Sequence, residues 1–349
     1  FVGDEHMTFN DVLEIKNGKN QRAVENPNGK YPIYGSGGIM GRADDYICDA
    51  GTVIIGRKGS INNPIYVDEP FWNVDTAFGL QAKKDVLLPR YLYYFCVNYD
   101  FERHNKAVTI PSLTKSDLLK IKIDLPAIEA QQAVVDVLSK VESIIELRKN
   151  ELQKLTEMKK ARFAELFGHP DINEKEWKVN DMDQLCEVSS SKRIYQNEQS
   201  MTGIPFLRIS DLVNRMDAGT KECDLHIPKV LFEELKDKGL VPSTGDILLT
   251  ARGTLGRCYI VQEDDEFYFQ DGMITWLSKF DSEITPLYIS CLFEMPGFRK
   301  QIDELQAGST VAYLSISMTK KLKVMVPPVE LQNQFADFVH QVDKSKLLE

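Results

Sequence analysis

"LTKSDLLKIKIDLPAIEAQQ" (residues 113–132) and "LSISMTKKLKVMVPPVELQN" (residues 314–333) match at a constant offset of 201. Leu113 falls on Leu314, Ser116 on Ser317, Lys122 on Lys323, Pro126 on Pro327, Glu129 on Glu330 and Gln131 on Gln332. Upstream, "GTVIIGRKGS" (51–60) matches "GDILLTARGT" (245–254) at an offset of 194. Asp75 then falls on Asp271, and Pro89-x-Tyr91 on Pro286-x-Tyr288. The drifting offset is what small loop insertions produce. One unit of about 170–200 residues therefore occurs twice, each copy ending in a proline followed by a helical pattern. A repeat this long is a pair of domains, not a solenoid, whose periods run to about 20–50 residues. Two similar domains on one chain imply a protein that grips two similar but non-identical things.

Length and composition agree. A chain of 349 residues is expected to hold two domains. Its net charge is −10, of which −1 falls on residues 1–125, 0 on 126–167, −7 on 168–326 and −2 on 327–349. A protein that holds nucleic acid unaided is basic as a rule. DNA binding here must rest on local basic loops and on help from a partner. No apolar run approaches the roughly 18 residues of a membrane span, and no cleavable leader is visible, so a cytoplasmic location with no membrane partner is expected. The six cysteines form no CxxC pair and no zinc-type spacing with histidine, which predicts free thiols and no metal. Residues 1–6 read as a cloning remnant ahead of a native Met7.

Residues 7–125 read as short strands, "KYPIYG", "GTVIIG", "NPIYVD" and "LKIKIDL", bounded by Gly, Pro and Asn. A helix near 89–101 is opened by Pro89. Residues 168–326 repeat the plan with "IPFLRIS", "GDILLTA", "CYIVQ", "YFQDGMITWL" and "LKVMV" as strands and a helix after Pro286. Each copy is thus a mixed α/β (α+β) domain. Between them, residues 127–167 hold neither Gly nor Pro. Val134, Leu138, Val141, Ile145, Arg148, Leu152, Leu155, Lys159, Arg162 and Leu166 recur at alternating four- and three-residue spacing, a heptad seam. At about 1.5 Å per residue this is a rod of roughly 60 Å. Such a seam needs a partner helix. The second copy offers one over 327–349, where Leu331, Phe335, Val339 and Val342 fall on Ala130, Val134, Leu138 and Val141. This second pattern spans only about 20 residues, which fits a cut chain or a short one that pairs with another copy.

Chemistry concentrates in a few loops. "GRKGS" (56–60) and "TARGT" (250–254) each carry a strand into a Gly-containing turn with cations and a hydroxyl. Arg57, Lys58, Ser60, Arg252, Thr254 and Arg257 could reach phosphates or guanine edges. The plainer reading is a tight turn with solvated charges, and recurrence in both copies is what favours the first. Lys19, Arg22, Tyr34, Ser36 and Arg42 in one copy, and Ser191, Lys192, Arg193, Tyr195, Arg208 and Ser210 in the other, interleave cations with hydroxyls and aromatics, as a DNA-facing surface does. Any one of them alone reads as an ordinary surface loop residue.

Two motifs mislead. "GSGGIMG" (35–41) is not GxGxxG, since position 40 is Met. "NPIY" (63–66) resembles the NPPY of adenine methyltransferases but has Ile65 for the second proline, and no glycine-rich S-adenosylmethionine motif precedes it. There is no P-loop, nuclease-type carboxylate cluster or nucleophile triad, so the chain reads as non-catalytic.

With "LPAIEAQQ" and "VPPVELQN" opening the helices, "GTVIIGRKGS" and "GDILLTARGTLG" in the domains and "LTKSDLLKIKI" before the first helix, residues 8–343 resemble the specificity subunit of type I restriction-modification enzymes. The resemblance implies two target-recognition domains, at 7–125 and 168–326, each reading one half of a split, asymmetric double-stranded DNA site. It implies helices at 126–167 and 327–349, packed as an antiparallel coiled coil that sets the gap between half-sites. It further implies docking of two methyltransferase subunits and, through them, of restriction and translocase subunits. S-adenosylmethionine, ATP and Mg2+ would then sit on those partners, this chain would hold no cofactor, and its role would lie in DNA methylation and defence against foreign DNA. Two other readings stay open: a coiled-coil scaffold whose domains bind proteins, and a methyltransferase using Asn63-Pro64-Ile65-Tyr66.

Overall fold

The computed structural model of the chain describes residues 7–105, 110–306 and 312–347. Residues 1–6, read above as a cloning remnant, lie outside the described residues. The chain divides into two compact units between Arg148 and Lys149, inside one continuous helix, Ile128–Phe167.

The first unit is built on a four-stranded antiparallel sheet in the order Leu13–Asn17, Ala77–Ala82, Thr52–Gly56, Ile65–Val67. Thr52–Gly56 is buried along its whole length, because both of its faces are covered. Val53 and Ile55 join Leu80, Leu92 and Phe101 in one cluster, while Ile54 points to Cys48, Val67 and Phe71 in another. A strand covered on both sides reads as a continuous apolar run, which "TVIIG" is. A three-stranded sheet sets Tyr31–Gly35 between Gly38–Ala43, antiparallel, and Trp72–Asn73, parallel. A short ladder, Met7–Thr8 with Lys122–Ile123, ties the start of the unit to its end.

The second unit repeats all three ladders. Its four-stranded sheet runs Glu187–Ser189, Ile274–Ser278, Ile247–Thr250, Cys258–Ile260. Ile247 and Leu249 face one cluster and Leu248 another, as in the first copy. Ile204–Leu207 lies between His226–Ile227, antiparallel, and Tyr268–Phe269, parallel. Lys178–Asp181 pairs with Lys323–Val326 to close the unit. Because that ladder brings entry and exit together, the helix that enters the unit and Val329–Leu347, which leaves it, lie side by side. Phe163 and Phe167 of the first contact Phe335 of the second at ring distances of 5.6 and 5.4 Å. Lys159 Nζ lies 2.6 Å from Asp343 Oδ1.

One expectation needs correction. The offset does not drift through small loop insertions alone. Ile33 stands opposite Trp72 and Phe206 opposite Tyr268, so the offset is 173 on one strand (33 to 206) and 196 on its neighbour (72 to 268). The difference is taken up mainly by two helices, Ile209–Ala218 and Lys229–Asp237, in place of the first copy's hairpin. "RIS", expected to end a strand, opens the first of these helices instead. Both have the 3.6-residue apolar spacing and a glycine at or just past the end, Gly219 and Gly239. The insertion is anchored by a buried pair, Arg215 with Asp265 at 2.8 Å, their side chains 4% and 0% exposed. Tyr259 Oη and the Gln262 N–H also donate to Asp265, and Arg215 lies over the Phe267 ring.

Among the remaining elements, the helix Pro89–Asn98 ends three residues earlier than expected and a 3-10 turn, Phe101–His104, follows. A further helix, Pro296–Gln306, has no counterpart in the sequence reading. No helix among the described residues is long and apolar enough to cross a membrane.

Candidate nucleic-acid interface

In each unit two segments converge on the basic turn. In the first, the Arg57 and Lys58 N–H groups donate to Thr76 O, the Gly59 N–H to Pro111 O, and the Leu113 N–H to Arg57 O. Lys58 and Ser112 form a bridge. In the second, the Ala251 N–H donates to Met273 O and the Leu314 N–H to Ala251 O, and Arg252 bridges Tyr313. The turns beside Asp75 and Asp271, and the residues just ahead of the repeated block, are thus placed against the basic turn in both copies. An amide brackets the latter: Asn105 Oδ1 accepts the Ser112 N–H, and Gln306 accepts the Tyr313 N–H while donating to Tyr313 O.

The turn needs its glycine. A Cβ on Gly56 would lie 2.2 Å from Ser60 O and 3.1 Å from Ser36 Cβ, so the backbone folds back on itself there and brings Ser36 and Ser60 alongside. Gly59 has φ +82°, which a side-chain-bearing residue rarely adopts. Arg57, Lys58 and Ser60 are exposed. The Arg57 guanidinium lies over the Phe78 ring at 5.7 Å.

The second copy gathers Arg193, Arg252, Gln199, Gln270 and Asp271 around a cavity of about 390 Å³. Arg193 is held by Asp271 at 2.8 Å, a pairing that pushes the guanidinium pKa further up. Arg252 stacks over the Tyr313 ring at 4.7 Å. Thr254, Lys192 and Tyr195 are exposed. Gln199, Gln270 and Tyr313 were not singled out in the sequence. Tyr313 was reachable, since it directly precedes the repeated block at Leu314, opposite Ser112 in the first copy.

Other named residues stand elsewhere. Arg257 is half-buried and paired with Asp217, whose carboxyl it holds below the usual range. It lines a separate cleft of about 950 Å³ with Arg215 and Arg299. Arg42 donates to Gly29 O and Lys30 O at 2.6 and 2.7 Å and closes that loop. Arg208 is held by Asp211 and Asp224. Tyr34 is half-buried edge-on against Phe71, and burial raises its hydroxyl pKa. Ser191 is buried and donates to Phe269 O. Lys19 and Arg22 are exposed, as is Ser210 in the first turn of its helix. In "NPIY", Tyr66 is a platform for Arg90, whose guanidinium lies 4.1 Å from the ring centroid. Among the described residues no cluster of His, Cys, Asp and Glu is placed to hold a metal ion.

On the long helix, Val134, Leu138, Val141, Ile145 and Leu152 are exposed and Leu155 is half-buried. In the closing helix Phe335, Val339 and Val342 are buried and Leu331 is half-buried.

Comparison with known proteins places this geometry. Residues 3–157 and 174–349 each match the family model for the type I restriction modification DNA specificity domain. A Haemophilus influenzae protein named for the type I restriction enzyme specificity subunits is 25% identical, covering 90% of this chain and 80% of its own length. The MjaVIII specificity subunit of Methanocaldococcus jannaschii is 22% identical over 84% of this chain and 70% of its own. In fold, the chain is similar to the crystal structure of the type I restriction-modification S subunit of M. genitalium. The TM-score is 0.65 at 17% identity, covering 99% of this chain and 92% of that one. With the family model matched in both halves of the doubled chain, the chain belongs to the family of type I restriction-modification DNA specificity subunits.

Proposed function

We propose that each unit reads one half of a bipartite, asymmetric DNA site, and that the long helices set the gap between the halves and dock the methyltransferase subunits. The observation that carries this is the recurrence of one exposed basic turn, framed by the same two segments, in two units of one chain. Arg57, Lys58 and Ser60 in one unit, and Arg193, Arg252 and Thr254 in the other, are the groups best placed to reach bases and phosphates. Phosphate contacts dominate affinity while base contacts carry specificity. A chain of net charge −10 can spend the cations of these loops on reading if partner subunits supply the phosphate grip. Arg257, Arg42 and Arg208 are proposed as framework residues, because their guanidinium groups tie segments of the fold together, whereas Arg193, though paired with Asp271, keeps 65% of its side chain exposed. S-adenosylmethionine, ATP and Mg2+ belong to the partners in this reading, and the chain itself does no chemistry. A protein-binding scaffold would not read DNA sequence. A methyltransferase site at "NPIY" is disfavoured by the stacking of Tyr66 on Arg90.

Methylome sequencing of cells carrying the chain with its methyltransferase subunits tests the reading. A motif of two defined halves around a fixed gap is expected. Exchanging residues 172–326 for those of a relative should rewrite one half and leave the other. A change in both halves, or a continuous motif, would refute it.

A further inference from the structure

Gln131 and Gln332 fall on one another in the repeat, and they are 0% and 1% exposed. Each sits in the first turns of a long helix. Gln131 Oε1 accepts the Leu88 N–H at 2.9 Å, and its Nε2 donates to Val86 O and Pro126 O, both at 2.9 Å. Gln332 Oε1 accepts the Thr285 N–H at 2.9 Å, and its Nε2 donates to Glu283 O at 2.9 Å and to Pro327 O at 2.8 Å. Leu88 and Thr285 are the N-caps of Pro89–Asn98 and Pro286–Leu292. All four positions correspond at the offsets of the repeat.

A primary amide is suited to this place. It presents two donors and an acceptor on one planar head, and all three are used. A carboxylate has the length but no donor, and a thioether or alkyl chain would leave three buried backbone groups unpaired. Among the described residues no other side chain caps the helix start. The residues whose carbonyls accept the first helical bonds are Ala127 and Pro328, and neither can cap with its side chain. In each copy the glutamine pins three things together: the loop ahead of the inner helix, the proline that ends the domain, and the first turns of the long helix.

We infer that Gln131 and Gln332 are positioning residues that fix the direction in which each long helix leaves its reading domain, and so restrict the protein to one gap between half-sites. This rests on the proposed bipartite reading. The glutamines need touch no DNA, and their loss should leave both half-site sequences intact while loosening the distance between them.

The test is methylome sequencing with Gln131→Met, Gln332→Met and the double variant, each in complex with the methyltransferase subunits. Wild type should methylate one gap. Each variant should keep both half-sites but lose about tenfold of its discrimination against gaps one base pair shorter or longer, equivalent to one net hydrogen bond. Strict gap selectivity in an assembled variant overturns the inference. Absence of a two-part motif in wild type overturns the reading beneath it instead. Should the variants fail to assemble, hydrogen exchange on the wild-type complex decides. The Leu88 and Thr285 amides, which have no acceptor within their own helices, should exchange at least about a hundredfold slower than exposed loop amides. Exchange at loop rates overturns the inference.

Discussion

Phe335, Val339 and Val342 are buried, whereas Val134, Leu138 and Val141, which occupy the same positions in the first copy, are exposed. Both helices carry apolar residues at these matched positions. What differs is the neighbour. The closing ladder of the second unit sets the incoming helix against the outgoing one, and Phe163 and Phe167 then cover the seam. In the first unit the helix is held on another face, where Val135 is buried and Tyr94 Oη bonds Ser139 Oγ and Glu142 Oε2 at 3.0 and 2.8 Å. A seam in a sequence thus states what a helix can bury, and the topology decides whether it does.

The contrast can be broken by mutation. Phe335→Ala removes a side chain with 0% exposure and should destabilise the second unit by about 3–5 kcal/mol. Val134→Ala, its exposed counterpart in the first seam, should stay within about 0.5 kcal/mol. Urea unfolding of the lone chain measures both, and equal losses would mean that the first seam is covered after all. Asp343→Asn tests the electrostatic half of the same contact. Lys159 is only 17% exposed beside Asp343, so the loss should reach about 1 kcal/mol, the upper end for a partly solvated pair, and should shrink in high salt.

The smallest effect is one of pH. Where the long helix ends, Glu174 accepts the His169 N–H at 2.9 Å and lies 2.6 Å from its ring. These bonds pull its carboxyl from 4.5 down to about 2. A depressed carboxyl stabilises the fold above its unfolded pKa and loses that contribution as pH falls. Acid titration of the second unit from pH 4.5 to about 2 should therefore be shallower in Glu174→Gln than in wild type. Identical slopes would show that this bond does not hold the helix end.

The sequence disclosed the duplication, the strands and the long helix because these are local patterns repeated in register. "TVIIG" and "ILLT" are apolar on both faces because both faces are covered. The inserted helices escaped because comparison of copies finds only what both copies contain. Within the interface, the turns at 56–60 and 250–254 were legible as cation-bearing elements. Which cations are free was not. Arg257 and Arg252 look alike in "TARGTLGR", yet one is bound to Asp217, forty residues away, and the other lies over Tyr313. Only the fold brings Asp217 within reach. Gln131 and Gln332 were visible as a matched pair, but their role depends on backbone groups in a distant loop.

The turn at 56–60 separates two tasks that most surfaces combine. Its path is held by main-chain bonds from Arg57, Lys58, Gly59 and Leu113 and by the close approach that only Gly56 permits. The heads of Arg57 and Lys58 take no part in those main-chain bonds, and the Arg57 guanidinium touches the core over the Phe78 ring. Random substitution at 57, 58 and 60, with both glycines kept, would therefore vary the outward chemistry without asking the protein to fold anew. If these three residues read DNA as proposed, new target preferences would be open to single-nucleotide changes, and their supply would be limited by selection on the DNA read more than by losses in the stability of the reader.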